Sequence, residues 1–179
     1  MLAVASHDFK IYVFTLPKLE RKCVCHASTA GVTHIDWSQD GLKLHSNDLS
    51  YEVLYFNAET GEQDKGGASS LRDEFWASWT LPLGWPVQGI WAAFEDGSDI
   101  NAVARSHAPL ADGYHLLASG NDSSRVKLFR YPCSQERSEA LEGTGHSSHV
   151  TNVKFSKDDQ WLFSTGGNDN CVFQWRITK

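Results

Sequence analysis

The sequence has few cysteines and no paired-cysteine motif. They stand at Cys23, Cys25, Cys133 and Cys171, with no Cys-x-x-Cys pair among them. Reduced and partly buried thiols are therefore expected, as in a cytosolic protein. Cys23, Cys25 and His26 could begin a zinc site, but no second ligand pair stands at a suitable spacing. The cysteine pattern predicts neither a disulfide framework nor a metal centre.

The chain also lacks long apolar runs and an excess of positive charge. No run approaches the roughly 18 apolar residues that a membrane helix needs, and the N-terminal apolar stretch has no basic segment or cleavage site. The formal net charge is −6, which argues against a general nucleic-acid binder and against unaided attraction to acidic membranes. These absences predict a soluble, cytoplasmic protein that contacts neither nucleic acid nor membrane.

Familiar catalytic motifs are absent as well, since the sequence has no G-x-S-x-G elbow, Walker loop or H-E-x-x-H. The stretch "GHSSHVTNVKFS", residues 145–156, places His146 and His149 three residues apart. That spacing can bind a metal on a helix, but on a strand it points the two rings to different faces. The sequence therefore predicts a protein that is not an enzyme and that binds no metal or cofactor.

Short runs of alternating apolar and polar residues dominate the chain, and clusters of Gly, Asn, Asp and Ser separate them. Such runs are typical of β-strands joined by turns. No stretch has the periodicity of a helix of three turns, so the sequence predicts an all-β fold. The predicted strands are residues 10–14, 33–37, 51–56, 126–129, 151–155 and 171–175.

The same order of strands and turns recurs along the chain. Each unit closes on a strand with an aromatic end, at Phe14, Phe56, Phe129 and Trp175. The spacing is roughly 40–45 residues, with a middle interval about 30 residues longer, and this period with short strands is the signature of WD40 β-propeller blades. The repeat therefore predicts a WD40 β-propeller.

The expected propeller is partial, with about four blades. They lie at approximately residues 1–26, 27–67, 87–143 and 144–179, and an aromatic insertion occupies approximately residues 68–99. The first and last blades are expected to be incomplete. Since a propeller closes its ring with about 4–8 blades, we expect an open arc that is part of a larger propeller or a truncated gene product.

Blades of this type can contain a hydrogen-bonded chain of His, Ser or Thr, Asp and Trp that ties an outer loop to the inner strands. The last unit offers His146, Thr165, Asp169 and Trp175 for this structural network. His149 is expected to begin the next strand. A set of residues that resembles an enzyme site is thus predicted to hold a blade together.

The other units retain only parts of this set. Asp8, Asp48 and Asp122 are predicted to anchor turns, the latter two from displaced positions. Phe56 and Phe129 replace the tryptophan and cannot donate an indole N–H. These blades are expected to rely on apolar packing.

The aromatic insertion is the most distinctive segment of the chain. It contains Trp76, Trp79, Trp85 and Trp91. The four rings can pack across the blades as an extension of the core. Alternatively, they form a partner surface, because exposed aromatic residues are frequent at interface hot spots.

Several strings resemble the C-terminal propeller of the echinoderm microtubule-associated protein-like (EML) family. They lie in order with family-like spacing and span nearly the whole chain. The strings are "YEVLYFN" (51–57), "RDEFW" (72–76), "LGWPVQGIW" (83–91), "DINAVARSH" (99–107), "VKLFRYPC" (126–133) and "GHSSHVTNVKFS" (145–156).

The resemblance implies a non-catalytic scaffold that binds tubulin or microtubules and is associated with the cytoskeleton. Related proteins contain two joined propellers and often an N-terminal coiled coil with a basic segment. The given sequence is expected to contain only part of the second propeller. The net charge of −6 opposes approach to the acidic tubulin surface. A general WD40 adaptor without a cytoskeletal role, or a fragment without independent function, are the alternatives.

Overall fold

The computed structural model describes residues 1–92 and 95–178. Residues 93–94 of the predicted insertion and residue 179 of the last predicted blade lie outside the described residues. The chain divides into two compact units, Met1–Leu83 and Gly84–Lys179. Almost all regular structure in the described residues is antiparallel β-sheet, and the predicted all-β fold is confirmed.

The first unit contains two three-stranded sheets with the strand orders β1-β2-β3 and β4-β5-β6. A four-residue helix, α1, follows the second sheet at Gly67–Ser70. The six strands of this unit are β1 Leu2–Ala5, β2 Lys10–Phe14, β3 Arg21–His26, β4 Val32–Trp37, β5 Lys43–Asp48 and β6 Val53–Asn57.

The second unit begins with a short 3-10 helix at Trp85–Ile90. A four-stranded sheet with the order β10-β9-β8-β7 follows, and then a three-stranded sheet with the order β11-β12-β13. The strands are β7 Ile100–Arg105, β8 His115–Asn121, β9 Arg125–Tyr131, β10 Leu141–Thr144, β11 Val150–Phe155, β12 Trp161–Gly166 and β13 Val172–Arg176.

Alternation along each strand explains which side chains form the core. On β2, Ile11 and Val13 are buried while Tyr12 between them is half-buried, as expected when successive residues point to opposite faces. The core of the first unit consists of Ile11, Val13, Cys25, Val32, Leu44, Phe56 and Ala58. The core of the second unit consists of Ala102, Ala104, Ala118, Val126, Val150, Val153, Phe155 and Leu162.

The two sheets of the second unit approach each other closely at Gly120 on β8. A Cβ atom at this position would lie 2.5 Å from Cγ1 of Val150. Only glycine leaves room for the first strand of the last sheet to pack here. A larger side chain at this position would prevent the close packing of β8 on β11.

The second sheet has three strands where a complete blade would have four. After β6 the chain makes only one further bridge, between Phe56 and Gln63, and then enters α1. Gly67 of α1 lies so close to β6 that a Cβ atom would be 2.5 Å from Cβ of Tyr55. The chain thus packs a helical turn against β6 where a fourth strand would otherwise pair. The described residues contain thirteen strands.

Candidate functional site

A chain of hydrogen bonds links four side chains of the last sheet. Nδ1 of His146 lies 2.8 Å from Oδ2 of Asp169, and Nε2 lies 2.8 Å from Oγ of Ser164. Trp175 donates its indole N–H to the same hydroxyl at 2.9 Å. Because an indole only donates and a carboxylate only accepts, the set is satisfied when Ser164 donates to His146 and His146 donates to Asp169. The imidazole is thereby fixed on both sides.

The structure places Ser164, and not Thr165, at the hydroxyl position of this network. Oγ1 of Thr165 lies 2.9 Å from Oγ1 of Thr151 on the neighbouring strand. Successive side chains of a strand point to opposite faces, so the hydroxyl that faces His146 belongs to the residue before Thr165. The sequence prediction of Thr165 is corrected by one position, while His146, Asp169 and Trp175 come together.

Equivalent serines occupy the same register position in two other sheets. Ser46, Ser119 and Ser164 are all buried, and each is paired with an aliphatic residue of the preceding strand. These partners are Ile35, Val103 and Val153 respectively. The hydroxyl of Ser46 has no hydrogen-bond partner among the described residues, because Phe56 ends the next strand of its sheet in place of tryptophan. The network is thus lost in the second sheet, although its serine is retained.

The three predicted turn anchors make mainly local contacts. Oδ1 of Asp48 accepts hydrogen bonds from the backbone N–H groups two and four residues further on, at 3.0 and 3.1 Å. Asp8 accepts the hydroxyl of Tyr12 at 2.5 Å. Asp122 accepts the amide of Asn101 from the adjacent strand at 2.7 Å. These carboxylates satisfy turns and strand ends, and they do not converge on a common ligand position.

A second polar cluster, which the sequence analysis missed, lies in the first unit around Asp36 on β4. The carboxylate accepts hydrogen bonds from the hydroxyl of Ser78 and from both the backbone N–H and the hydroxyl of Thr80, at 2.6 and 3.1 Å. Nε2 of His45 lies 3.4 Å from the same carboxylate. Asp36 and His45 are both buried. The donors from Ser78 and Thr80 show that the aromatic insertion is bound to the second sheet through a buried charge.

Two indole rings of the insertion enclose His45. Its ring stacks on Trp76 with centroids 3.6 Å apart and planes 4° apart, and it meets the ring of Trp79 edge-on at 4.9 Å. The indole N–H of Trp79 donates to the carbonyl of Leu81 at 2.8 Å. A histidine at an apolar-patterned position is hard to assign from sequence, and only the packing shows that it is the partner of these rings.

Burial and hydrogen bonding set the protonation of this pair. Burial lowers the pKa of His45 below its usual value, more strongly than the hydrogen bond that its ring donates to Asp36 raises it. Burial of Asp36 acts to raise its pKa, but the hydrogen bonds from His45, Ser78 and Thr80 hold it below the usual value. The cluster therefore contains a neutral imidazole and an ionised carboxylate at neutral pH.

The four tryptophans do not share one environment. Trp76 and Trp79 are buried, whereas Trp85 and Trp91 are half-buried. Of the two alternatives, packing in the interior applies to Trp76 and Trp79, because both rings pack on His45. Among the described residues of the insertion, Phe75 is an exposed aromatic residue, with 80% of its surface accessible.

The chemistry available to these clusters is limited by their geometry. Ser78 donates to Asp36 and not to His45, so the nucleophile and base pairing of a hydrolase is not formed. In residues 1–92 and 95–178, no group of three or more His, Cys, Asp or Glu side chains has the arrangement of a metal site. None of the helices described for this chain has the length and apolarity that a membrane crossing requires.

Comparison with known proteins matches residues 1–177 to the family model of the echinoderm microtubule-associated protein second beta-propeller. This chain belongs to the EML family. It is 46% identical to echinoderm microtubule-associated protein-like 2 of Rattus norvegicus over 180 residues, which cover 98% of this chain and 27% of the relative. It is 44% identical over 180 residues to the 77 kDa echinoderm microtubule-associated protein of Lytechinus variegatus, covering 98% and 26% respectively.

The EML assignment identifies the fold as part of a β-propeller, in agreement with the four antiparallel sheets. The chain spans only about a quarter of the length of these relatives. The residues matched to the family model include the aromatic insertion. Its attachment through Asp36 then explains how a segment rich in tryptophan is held on a sheet.

Proposed function

We propose that this chain is a non-catalytic scaffold module that binds tubulin or microtubules in the cytoplasm. The observation that carries the proposal is the family match over residues 1–177. Relatives that share 44–46% identity with the chain are named as microtubule-associated proteins or as proteins like them. Tubulin is therefore the first partner to test, and cytoskeletal association is the expected location.

The internal bonding of the polar clusters supports a scaffold and not an enzyme. The hydroxyl of Ser164 is shared between His146 and Trp175, and the carboxylate of Asp36 is surrounded by donors. Groups that are committed to one another in the interior stabilise a fold and are not available to a substrate. The function is accordingly expected to reside in the outer surface.

Phe75 is the residue of the insertion best placed to contact a partner. Its ring is exposed, while its backbone carbonyl accepts the N–H of Gln39 at 2.7 Å. Two residues later, Ala77 donates its N–H to the carbonyl of Trp37 at 2.8 Å. An exposed aromatic ring on a fixed backbone loses little conformational freedom when it is buried by a partner. We infer that Phe75, which is exposed, contacts the partner where the buried Trp76 and Trp79 do not.

The charge of the chain indicates the kind of contact to expect. A net charge of −6 gives no long-range attraction to an acidic surface, so the contact must rest on apolar burial and hydrogen bonds. Binding of this kind changes little with ionic strength, whereas binding through Lys and Arg weakens steeply with salt. Salt dependence therefore distinguishes the proposed contact from non-specific adsorption.

Co-sedimentation with taxol-stabilised microtubules, at several salt concentrations, tests the proposal. We expect the chain to pellet at low and moderate salt, and Phe75→Ser to lower the pelleted fraction several-fold. Leu141→Ser is the matched control, because Leu141 is another highly exposed apolar residue, on β10 of the second unit. No pelleting above background would contradict the tubulin assignment. Pull-downs that return a reproducible partner other than tubulin would favour the general adaptor.

A further inference from the structure

One turn in every sheet has the same unusual backbone, namely the turns β1–β2, β5–β6, β8–β9 and β12–β13. In each turn one residue lies in the left-handed region with a positive φ. These residues are Phe9 at 70°, Tyr51 at 62°, Ser124 at 63° and Asn170 at 51°. Glycine and asparagine adopt this conformation readily, whereas a bulky side chain there is an outlier. The turns of the first unit thus use aromatic residues at a position that disfavours them.

The two aromatic residues are also exposed to solvent. Phe9 is 49% exposed and Tyr51 is 53% exposed, and Leu49 in the same turn as Tyr51 is 57% exposed. Burial in the core therefore does not account for their presence. A strained backbone that carries exposed apolar side chains indicates a functional constraint. We refer to Phe9, Leu49 and Tyr51 as the Phe9–Tyr51 surface.

Backbone hydrogen bonds hold the two turns of this surface together. Val32 donates its N–H to the carbonyl of Ser6, in the segment before the Phe9 turn, at 3.2 Å. Leu49 donates its N–H to the carbonyl of Gly31 at 3.0 Å. The segment at residues 31–32 thus bridges both turns. Its glycine lies so close to the first turn that a Cβ atom would be 2.9 Å from Nδ1 of His7, so the surface is built on a packed base.

The charges in and beside these turns are mainly negative. Asp8, Asp48 and Glu52 supply three carboxylates, and Lys10 supplies one ammonium group. The Nζ atom of Lys10 lies 4.0 Å from the carboxylate of Asp8, which leaves the other two without a lysine partner in these turns. Asp48 is buried, so the carboxylates that a ligand can approach in these turns are those of Asp8 and Glu52. An apolar surface with this rim is complementary to a positively charged and apolar ligand.

We propose that the Phe9–Tyr51 surface binds a segment of another protein in which lysine or arginine residues flank aliphatic or aromatic side chains. The apolar side chains of that segment cover Phe9, Leu49 and Tyr51, and its cations approach the carboxylates of Asp8 and Glu52. This proposal is independent of tubulin binding. A chain that fails to pellet with microtubules can still bind such a segment, and the reverse also holds.

Fluorescence anisotropy with a defined peptide tests this proposal on the whole chain. The probe is a labelled twelve-residue peptide of three Gly-Lys-Leu-Lys repeats. One comparison peptide has serine in place of leucine, and another has glutamate in place of lysine. We expect the probe to bind at least tenfold more tightly than either comparison peptide. Equal binding of the serine peptide would show attraction by charge alone and would overturn the proposal.

Substitution by glycine separates recognition from folding. Phe9→Gly combined with Tyr51→Gly relieves the left-handed strain at both turns, so the midpoint of thermal unfolding should stay unchanged or rise. Affinity for the probe should fall at least tenfold. Unchanged affinity, or a marked drop in the unfolding midpoint, would show that the rings serve packing and would overturn the proposal. Asparagine at both positions, which also suits this backbone, gives a second pair of variants with the same expected outcomes.

Two further variants act as controls for backbone and charge. Ser124→Gly changes the same turn position in the second unit, and it should leave the affinity for the probe unchanged. Glu52→Gln removes one carboxylate of the rim and should weaken binding several-fold at low salt, with a smaller effect at high salt. A Glu52→Gln variant that binds as well as the unmodified chain at every salt concentration would contradict the role of the rim.

Discussion

Nε2 of His146 and Oγ of Ser164 lie 2.8 Å apart in the interior of the last sheet. This hydrogen bond joins the loop before β11 to the middle of β12, and Trp175 on β13 shares the same hydroxyl. One serine thus connects three parts of the sheet. Its removal leaves the ring nitrogen of His146 and the indole N–H of Trp175 without a common partner.

We predict that Ser164→Ala lowers the free energy of unfolding by about 1–3 kcal/mol, because two buried polar groups lose their partner. Ser46→Ala is the matched control, since the Ser46 hydroxyl is buried without a hydrogen bond. This control should be neutral or slightly stabilising. Urea denaturation followed by tryptophan fluorescence measures both changes. Equal losses for the two alanine variants would contradict the network.

Thr165→Ala should cost markedly less than Ser164→Ala. The hydroxyl of Thr165 contacts Thr151 at the exposed side of the sheet, where water can replace the lost bond. His146→Ala, by contrast, should cost about as much as Ser164→Ala. The same denaturation experiment decides the order, and a larger loss for the threonine variant would restore the sequence-based assignment.

The neutral state of His45 predicts that stability falls in mild acid. Its folded-state pKa lies below the usual value, so the unfolded chain binds the proton more readily, at pH values near and below about 6.5. The free energy of unfolding of the first unit should therefore decrease by up to about 1.4 kcal/mol for each pH unit in this range. Denaturant titrations between pH 7 and pH 5 measure this slope.

His45→Phe should flatten the slope over the same pH range, because phenylalanine keeps a ring against Trp76 and cannot take up a proton. Asp36, whose pKa is lowered in the folded chain, contributes at more acid pH. Its contribution to stability is lost when the pH falls below the usual pKa of an aspartate and the carboxylate becomes protonated. An unchanged slope for the phenylalanine variant between pH 7 and pH 5 would show that His45 is not the titrating group.

Asp159 clamps the turn between β11 and β12 to the loop after β7. Its carboxylate accepts the backbone N–H groups of His107 at 3.0 Å and Ala108 at 2.8 Å, and it lies 2.8 Å from Nδ1 of His107. Asp159→Asn retains a residue that tolerates the left-handed backbone found here. The asparagine side chain, however, has only one oxygen to accept the N–H groups that both carboxylate oxygens accept in the unmodified chain. The unfolding free energy should therefore fall by about 1–3 kcal/mol.

Hydrogen exchange at the amides of His107 and Ala108 checks this clamp directly. Both amides should exchange faster in Asp159→Asn than in the unmodified chain. Asp158→Asn is the control, because Asp158 accepts only from its own turn, including the hydroxyl of Ser156 at 2.6 Å. Faster exchange in the control variant alone would contradict the assignment of the clamp to Asp159.

Thiol labelling should distinguish the buried cysteines from the exposed one. Burial raises the pKa of Cys25 and of Cys133 to about 12 each, and these side chains are enclosed in the protein. Cys171 is exposed. A thiol reagent at neutral pH should modify Cys171 in the folded chain, and Cys25 and Cys133 only after denaturation. Peptide mapping identifies the sites, and Cys171→Ser should remove the rapid reaction.

The repeat pattern was sufficient to predict the fold class and the approximate position of every strand that was named. Alternation is a local property, and a strand such as β2 at Lys10–Phe14 follows directly from it. The lack of a fourth strand in the second sheet was not predictable in this way. The segment after β6 could form a fourth strand or a helical turn, and the space beside β6 determines which. Close packing of Gly67 on Tyr55 fills that space with the helical turn.

The sequence by itself determined the all-β blades, the family strings and three members of the His146 network, because these depend on spacing along the chain. Only the tertiary structure selected Ser164 over Thr165, because neighbouring residues of a strand face opposite sides. Which tryptophans are buried likewise depends on tertiary contacts. Trp76 and Trp79 are buried because Asp36 and His45, distant in sequence, provide the charge and the ring against which the insertion packs.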